Sequence, residues 1–216
     1  MEAIIIGTVI NQMKQEGNLR SRTVCNSSQN CLAEVKNLPP ALMAVKKIYP
    51  TAHDFILAIN PSRQLQICTD PEKCLFGNSP KLESLNTIYG QGTAEAWLVP
   101  EVVDACQFCG LKEQPDNYQL EKLVTIIADK YHYLTIDQIQ LFFYWFCSAR
   151  YQHFYNSFDP FVIMHSLETF KKDINDAIYK REKREEKERD EREHQKWLKN
   201  RGKSLECNHQ HDRVDT

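Results

Sequence analysis

Four cysteines have a spacing that could bind a metal ion. Cys106 and Cys109 are separated by two residues, as in many zinc sites, and Cys68 and Cys74 could supply two more thiolate ligands. The alternative is that all four are ordinary buried thiols. Five residues separate Cys68 from Cys74, which is unusual for zinc ligands, and the other pair would lie one turn apart at a helix end. We predict no cofactor, with a structural zinc ion as the alternative.

A short aromatic and basic segment, residues 150–160, could bind a partner. Its aromatic rings could stack on nucleic-acid bases or fill a pocket in a protein, and its arginine could bind a phosphate or a carboxylate. The alternative is a structural corner between two helices, in which the rings pack inward and Arg150 pairs with Asp159. The candidate contact residues are Arg150, Tyr151, His153, Phe154 and Tyr155.

A second candidate surface lies near the end of a charged run, residues 180–201. Opposite charges recur there at helical spacing, as in Glu188 and Arg192, which favours a solvated helix that acts as a spacer. The alternative is a basic arm that binds nucleic acid, because residues 171–203 contain 13 Lys/Arg and 9 Asp/Glu. A tryptophan near the end could also anchor a protein partner or a second copy of the chain. The candidate residues are Lys196, Trp197, Lys199 and Arg201.

The sequence lacks the signatures of several common enzyme classes. It has no phosphate-binding glycine loop, because the glycines at 90 and 92 are without the lysine and the preceding strand. It has no His-Glu-x-x-His motif and no serine nucleophile elbow. Four carboxylates spaced for acid–base pairs have no visible partner base, and we predict that they lie on solvated helix faces. They are Glu95, Glu101, Asp129 and Asp137. We therefore predict that the protein is not an enzyme.

The composition is that of a globular protein with a hydrophobic core. Of the 216 residues, 42% are hydrophobic and 10% are aromatic. The net charge of −2 favours neither a strongly basic nucleic-acid binder nor an acidic tail protein. No secretion signal and no stretch long enough to cross a membrane are visible, so we expect a cytoplasmic protein with no membrane contact. Its eight cysteines are then expected to be thiols or metal ligands rather than disulfides.

The elements that must position these residues are predicted to be mainly α-helical. Residues 1–70 are expected to be irregular or mixed, with a strand or helix start at AIIIGTVI, a short helix at residues 41–48, a strand or short helix at HDFILAI and a strand at LQIC. Residues 71–180 are predicted to form the core domain, a helical bundle. Residues 181–216 are predicted to be a charged extension of the last helix, followed by a disordered tail.

Capping residues mark the predicted helix boundaries. Asp116 and Thr135 are each followed three residues later by glutamine, the pattern of a capping box. Thr93 is predicted to cap another helix. Asp159 precedes a proline suited to the first turn, and the helix that follows is predicted to be about 60 Å long. Gly202 is expected to end it.

Further short motifs follow one another over residues 70–180. They are Cys74-Leu75-Phe76-Gly77-Asn78-Ser79-Pro80, Leu82 with Leu85 and Tyr89-Gly90, Ala96-Trp97-Leu98, Gln119-Leu120, IIADKYHYLT, Phe142-Phe143, Arg150-Tyr151, Phe154-Tyr155, Asp159-Pro160 and Ile163. In this order and spacing the chain resembles a family of uncharacterised helical proteins encoded by gut bacteria and by their phages and mobile elements. Two positions depart from the family, which usually has glycine where this chain has Ala149 and Gln152.

The resemblance implies an accessory role. Similar helical modules resemble replication accessory proteins of phages, including loaders of replicative helicases. Our first hypothesis is therefore a non-enzymatic adaptor of a phage or mobile element that acts in DNA replication. The alternatives are a protein–protein interaction module, such as a virion component or an inhibitor of a host system, and a small structural-zinc protein. We expect a protein partner, with nucleic acid as a further candidate and self-association through the long C-terminal helix as another.

Overall fold

The computed structural model describes the backbone of residues 38–211 and the side chains of residues 38–199 and 201. This part of the chain contains nine α-helices and no strand, which confirms the mainly α-helical prediction. The helices are α1 Pro40–Ile48, α2 Ala52–Ala58, α3 Gln64–Ile67, α4 Pro71–Phe76, α5 Leu82–Tyr89, α6 Thr93–Phe108, α7 Asn117–Lys130, α8 Ile136–Cys147 and α9 Pro160–His211. A 3₁₀ turn, Pro61–Arg63, precedes α3.

The chain divides into two compact units, residues 1–167 and residues 168–216, and the boundary falls within α9. The described part of the first unit contains α1 to α8 and the beginning of α9. Its N-terminal helices pack on the core: α1 contacts α5, α3 contacts α8, and the 3₁₀ turn contacts α6. Residues 38–70 therefore belong to the same folded unit as the helical core.

Residues 38–70 are mainly helical, so the strand predicted at LQIC is wrong, whereas the short helix predicted at residues 41–48 and the helical alternative for HDFILAI are found. The HDFILAI run forms α2, which begins with a capping box. Thr51 Oγ1 accepts a hydrogen bond from Asp54 N at 3.1 Å, and Asp54 Oδ2 accepts one from Thr51 N at 3.0 Å. Phe55 and Ile59 then face the core four residues apart, a helical spacing. The LQIC run lies mostly in α3. Residues 1–37, which include AIIIGTVI, lie outside the described residues.

Helices α6 and α8 form the centre of the first unit. Helix α6 contacts α5, α7 and α8, and it buries side chains around most of its circumference. Trp97, Leu98 and Val102 have no exposed surface. The indole nitrogen of Trp97 donates to the carbonyl oxygen of Ile59 at 2.7 Å, so that a core ring also satisfies a backbone group after α2. Helix α8 packs against this surface with Phe142 and the other residues of its apolar stripe.

Local capping explains most of the boundaries. Asp116 accepts from Gln119 N at 2.7 Å and Thr135 Oγ1 accepts from Gln138 N at 3.2 Å, so both predicted capping boxes are confirmed. Asp159 Oδ1 accepts from Phe161 N at 2.9 Å, which confirms the predicted start of α9.

Two predicted boundaries are wrong. Thr93 does not cap α6, because Gly92 occupies the N-cap position with a φ of 88°. The side chain of Asn86, from α5, instead accepts a hydrogen bond from Ala94 N at 3.0 Å. Helix α9 also continues past Gly202 to His211, because one glycine costs a helix only about 1 kcal/mol and does not end it alone.

The buried Trp97 provides a test of this packing. We expect Trp97→Phe to lower the free energy of unfolding by about 2–3 kcal/mol, because it leaves a cavity and removes the donor for Ile59 O. Trp197→Phe is the matched control and should change stability by less than about 0.5 kcal/mol, since Trp197 is 53% exposed. Urea unfolding followed by circular dichroism measures both. Equal effects of the two substitutions would contradict this role for Trp97.

Candidate functional site

Helix α8 ends in a Schellman motif that turns the chain into residues 150–159, here called the link. Arg150 N donates to Trp145 O at 3.1 Å and Ala149 N donates to Phe146 O at 3.1 Å, the two hydrogen bonds of that motif. Ala149 has a φ of 59°, the left-handed conformation that glycine adopts at this position in most such motifs. Ala149, where the family that the chain resembles usually has glycine, therefore has a backbone conformation that favours glycine.

The side chain of Arg150 packs on the helix that it follows. Its guanidinium carbon lies 3.8 Å from the centre of the Trp145 ring. In most Schellman motifs the residues at the positions of Arg150 and Trp145 make an apolar contact. Here they make a cation–π contact instead. Arg150 therefore clamps the end of α8, which is a structural role in addition to any role in binding.

The inner face of the link is part of the core. Phe154 is only 6% exposed, and its ring lies 5.4 Å from Phe146 and 5.7 Å from Phe158. Tyr151 stacks on Phe142, with ring centres 5.9 Å apart. The alternative of a structural corner therefore describes these two residues. This corrects the prediction of Phe154 as a surface contact, because its ring fills the space beside α8.

The outer face of the link carries two neighbouring rings, His153 and Tyr155, here called the aromatic platform. Their ring centres are 5.1 Å apart, and Tyr155 is 87% exposed. A short parallel bridge between Glu113 and Ser157 ties the link to the loop after α6. The platform thus lies on a segment fixed by core residues and by a backbone bridge, and it can stack on a planar group or enter an apolar pocket.

The other predicted surface lies in the second unit. Ion pairs join Arg181 to Glu185 at 2.7 Å and Glu188 to Arg192 at 3.7 Å, which fits a solvated helix. Closer to the end, Trp197 stacks on the His194 ring, with centres 6.1 Å apart. The guanidinium carbon of Arg201 lies 5.2 Å from the Trp197 ring. Lys196 and Lys199 are exposed on the same stretch. This basic end combines a ring with three cations.

The four cysteines predicted as zinc ligands do not form one cluster. Cys68 and Cys74 are neighbours, and the thiol of Cys74 donates to Ile67 O at 3.3 Å. Cys106 lies near Cys109 and Cys147 instead, and burial raises its pKa to about 12. Within residues 38–199, no group of three or more His, Cys, Asp or Glu side chains is arranged to hold a metal ion. Burial also raises the pKa of Cys68.

A buried polar network is the feature that the sequence prediction missed. Glu101 was expected on a solvated face, but it is fully buried between α6 and its neighbours. Gln64 Nε2 lies 2.6 Å from Glu101 Oε2, and Gln140 Nε2 lies 2.9 Å from Glu101 Oε1. Arg63 Nη1 lies 2.7 Å from both Asp137 Oδ1 and Gln140 Oε1. A sequence signal exists in hindsight, since Gln140 interrupts the apolar run of α8.

Glu95 and Asp129, the other two carboxylates predicted to lie on solvated helix faces, line a cleft of about 560 Å³ beside helices α5, α6 and α7. Glu83 and His132 line it too. His132 Nδ1 lies 2.8 Å from Asp129 O, and its Nε2 lies 3.9 Å from Glu83 Oε2. The acidic lining of this cleft disfavours binding of a phosphate-bearing ligand.

Comparisons with protein-family models, with curated protein sequences and with solved structures give no match for this chain. The resemblance described above stays a prediction, and the argument for function rests on the residues themselves. Within the described residues, no helix is long and apolar enough to cross a membrane.

The strained turn at Ala149 gives a stability prediction. We expect Ala149→Gly to raise the free energy of unfolding by about 0.5–1 kcal/mol, because glycine removes the cost of the left-handed conformation. Gln152→Gly is the matched control at the second family position. Gln152 is not among the described residues with positive φ, so glycine there should lower stability by about 0.5 kcal/mol through the entropy of the unfolded chain. Thermal and urea unfolding measure both, and stabilisation by both variants would contradict the argument.

Proposed function

We propose that this chain is a non-enzymatic adaptor that binds a protein partner through the aromatic platform. The observation that supports this most directly is the 87% exposure of Tyr155 on a segment in which Phe154 and Phe158 are buried. Tyrosine is enriched among the residues that dominate protein interfaces, because it buries a large apolar area and also offers a hydroxyl group.

The rigidity of the link favours binding. The Schellman motif fixes its beginning, Phe154 and Phe158 anchor its middle, and the Asp159 cap fixes its end. A side chain presented by a fixed backbone loses less conformational entropy on binding than one on a mobile loop. His153 beside Tyr155 adds a second ring and a polar nitrogen, so the expected partner offers an apolar pocket with a polar rim.

The basic end of α9 is proposed as the second contact, with nucleic acid. Lys196, Lys199 and Arg201 supply positive charge for phosphates, and the half-exposed ring of Trp197 supplies a stacking surface for a base. An adaptor needs two contacts of different chemistry, and these two surfaces differ in this way. The ion pairs between residues 181 and 192 give that part of the helix the composition of a spacer.

We also propose the compartment and the process in which this adaptor acts. Action in the cytoplasm, in DNA replication of a phage or mobile element, rests on the sequence resemblance and on the nucleic-acid contact proposed for the basic end. The second candidate is a protein–protein interaction module without nucleic-acid contact. The acidic residues that alternate with the cations of α9 favour this second candidate, because they weaken attraction to phosphates.

The protein contact is tested by capture from the native cells with the tagged full chain, with and without nuclease, followed by mass spectrometry and titration of the identified partner. We expect Tyr155→Ala to weaken the purified complex roughly 30-fold, as for an interface residue worth about 2 kcal/mol. Tyr133→Ala is the matched control, because Tyr133 also neighbours a histidine ring, His132, at 5.6 Å. Equal affinity of the Tyr155 variant and the wild type would overturn the assignment of the platform.

The nucleic-acid contact is tested by titrating the protein into a labelled single-stranded oligonucleotide and measuring fluorescence anisotropy at about 50 to 200 mM salt. We expect salt-dependent binding by the full chain. Replacing Lys196, Lys199 and Arg201 with alanine should reduce the slope of log affinity against log salt by roughly 2, about 0.7 for each lost cation. Lys187→Ala is the control, since Lys187 pairs with Glu191 at 3.8 Å. A wild-type chain that does not bind would favour the second candidate.

A further inference from the structure

The hydrogen bonds around Glu101 fix the orientation of the Gln140 side-chain amide but leave that of the Gln64 amide open. Gln140 Oε1 accepts from Arg63 at 2.7 Å, so the opposite atom of that amide must be its nitrogen. This nitrogen donates to Asn60 O at 3.0 Å and to Glu101 Oε1 at 2.9 Å. Glu101 Oε1 is therefore an acceptor whether or not the carboxyl group is ionised.

The contact between Glu101 and Gln64 can form with either group as the donor. Gln64 Nε2 lies 2.6 Å from Glu101 Oε2 and donates to it when the carboxyl group is ionised. Rotating the Gln64 amide by half a turn exchanges its oxygen and nitrogen, which do not differ in shape. Protonated Glu101 would then donate from Oε2 to the Gln64 oxygen.

We propose that Glu101 is a buried carboxylic acid that latches residues 59–67 onto α6 and α8, and that its ionisation loosens this segment. The segment is held to the two helices by the bonds of Gln64 and Arg63 described above, by Asn60 O on Gln140, and by Ile59 O on Trp97 Nε1. An ionised Glu101 gains solvation only when water reaches it, and separation of this segment admits water.

The charged and titratable groups around Glu101 favour its neutral form. Arg63 is the cation that attracts the carboxylate, but its Nη1 is shared between Asp137 and Gln140. Asp104 on α6 opposes ionisation. The thiols of Cys68 and Cys147 stay neutral, because burial raises the pKa of both, that of Cys147 to about 12. Burial is the largest cause and raises the pKa of Glu101 to about 7, against the hydrogen bonds from Gln140 and Gln64, which lower it.

The direction of the pH effect follows from proton binding. An unfolded or opened chain has a glutamate pKa near 4.5 and loses its proton first, so the closed state binds more protons between about pH 4.5 and 7. Stability of the closed segment is therefore greatest in mild acid, falls as pH rises towards 7, and levels off above it. From pH 6 to pH 8 the opening constant should increase about tenfold for these two pKa values.

Amide hydrogen exchange of the full chain, read by mass spectrometry and corrected for the intrinsic pH dependence, tests the latch. In the wild type we expect protection of peptides covering residues 55–67 to fall about tenfold from pH 6 to pH 8. Peptides of α7 should change less than twofold. Glu101→Gln keeps the shape and removes the titration, so its protection should change less than twofold everywhere. Glu95→Gln, on the same helix, should retain the wild-type response.

Two results would overturn the proposal. One is protection of residues 55–67 that is independent of pH in the wild type. The other is an equal loss over α7, which would mean global unfolding instead of release of one segment. If Glu101→Gln does not fold, the wild type is tested instead, by following the carbon-13 NMR signals of its glutamate carboxyl groups as the pH is changed. A buried carboxyl that titrates near pH 7 supports the latch, and no carboxyl titrating above pH 5.5 contradicts it.

Discussion

The structure of the first unit depends on satisfying two polar side chains that α6 and α8 bury against each other. Glu101 and Gln140 have no exposed surface, and an unsatisfied buried polar group costs roughly 1–3 kcal/mol. Arg63 and Gln64 are the residues that complete their hydrogen bonds, and both come from the N-terminal helical segment. The core therefore closes only when that segment is docked. This explains why residues 38–70, which lie in the region predicted to be irregular or mixed, fold as part of the same unit.

The link shows how the same core creates a surface. Helix α8 is apolar around most of its circumference, so the chain that leaves it must cover rings that would otherwise face water. The Schellman motif reverses the chain at Ala149, and Phe154 then packs beside Phe146. Phe154 is buried there while the next residue, Tyr155, is 87% exposed. The two rings of the platform thus flank a residue that packs within the core.

Sequence predicts those parts of the fold whose causes are local. The capping boxes of Asp116 and Thr135 span three residues, and both are found as expected. Thr93 failed as a cap because Gly92 occupies the N-cap position, and Asn86 of another helix accepts from the amide of Ala94. Glu101 failed as a solvated residue because its partners lie 37 and 39 positions away in sequence. The same limit applies to the candidate contact residues of the link. Composition marks the link as aromatic, but only the packing shows that Phe154 is buried and Tyr155 is exposed.

Charge separates the two proposed contacts along the chain. Residues 1–170 contain 13 Lys/Arg and 17 Asp/Glu, whereas residues 171–203 contain 13 and 9. The acidic cleft of the first unit adds a local field that repels phosphates, whereas the basic end of α9 attracts them. The contact proposed for the aromatic platform depends on shape and apolar area. The two proposed contacts therefore rest on different forces, and salt should weaken the contact with nucleic acid far more than the contact with a protein.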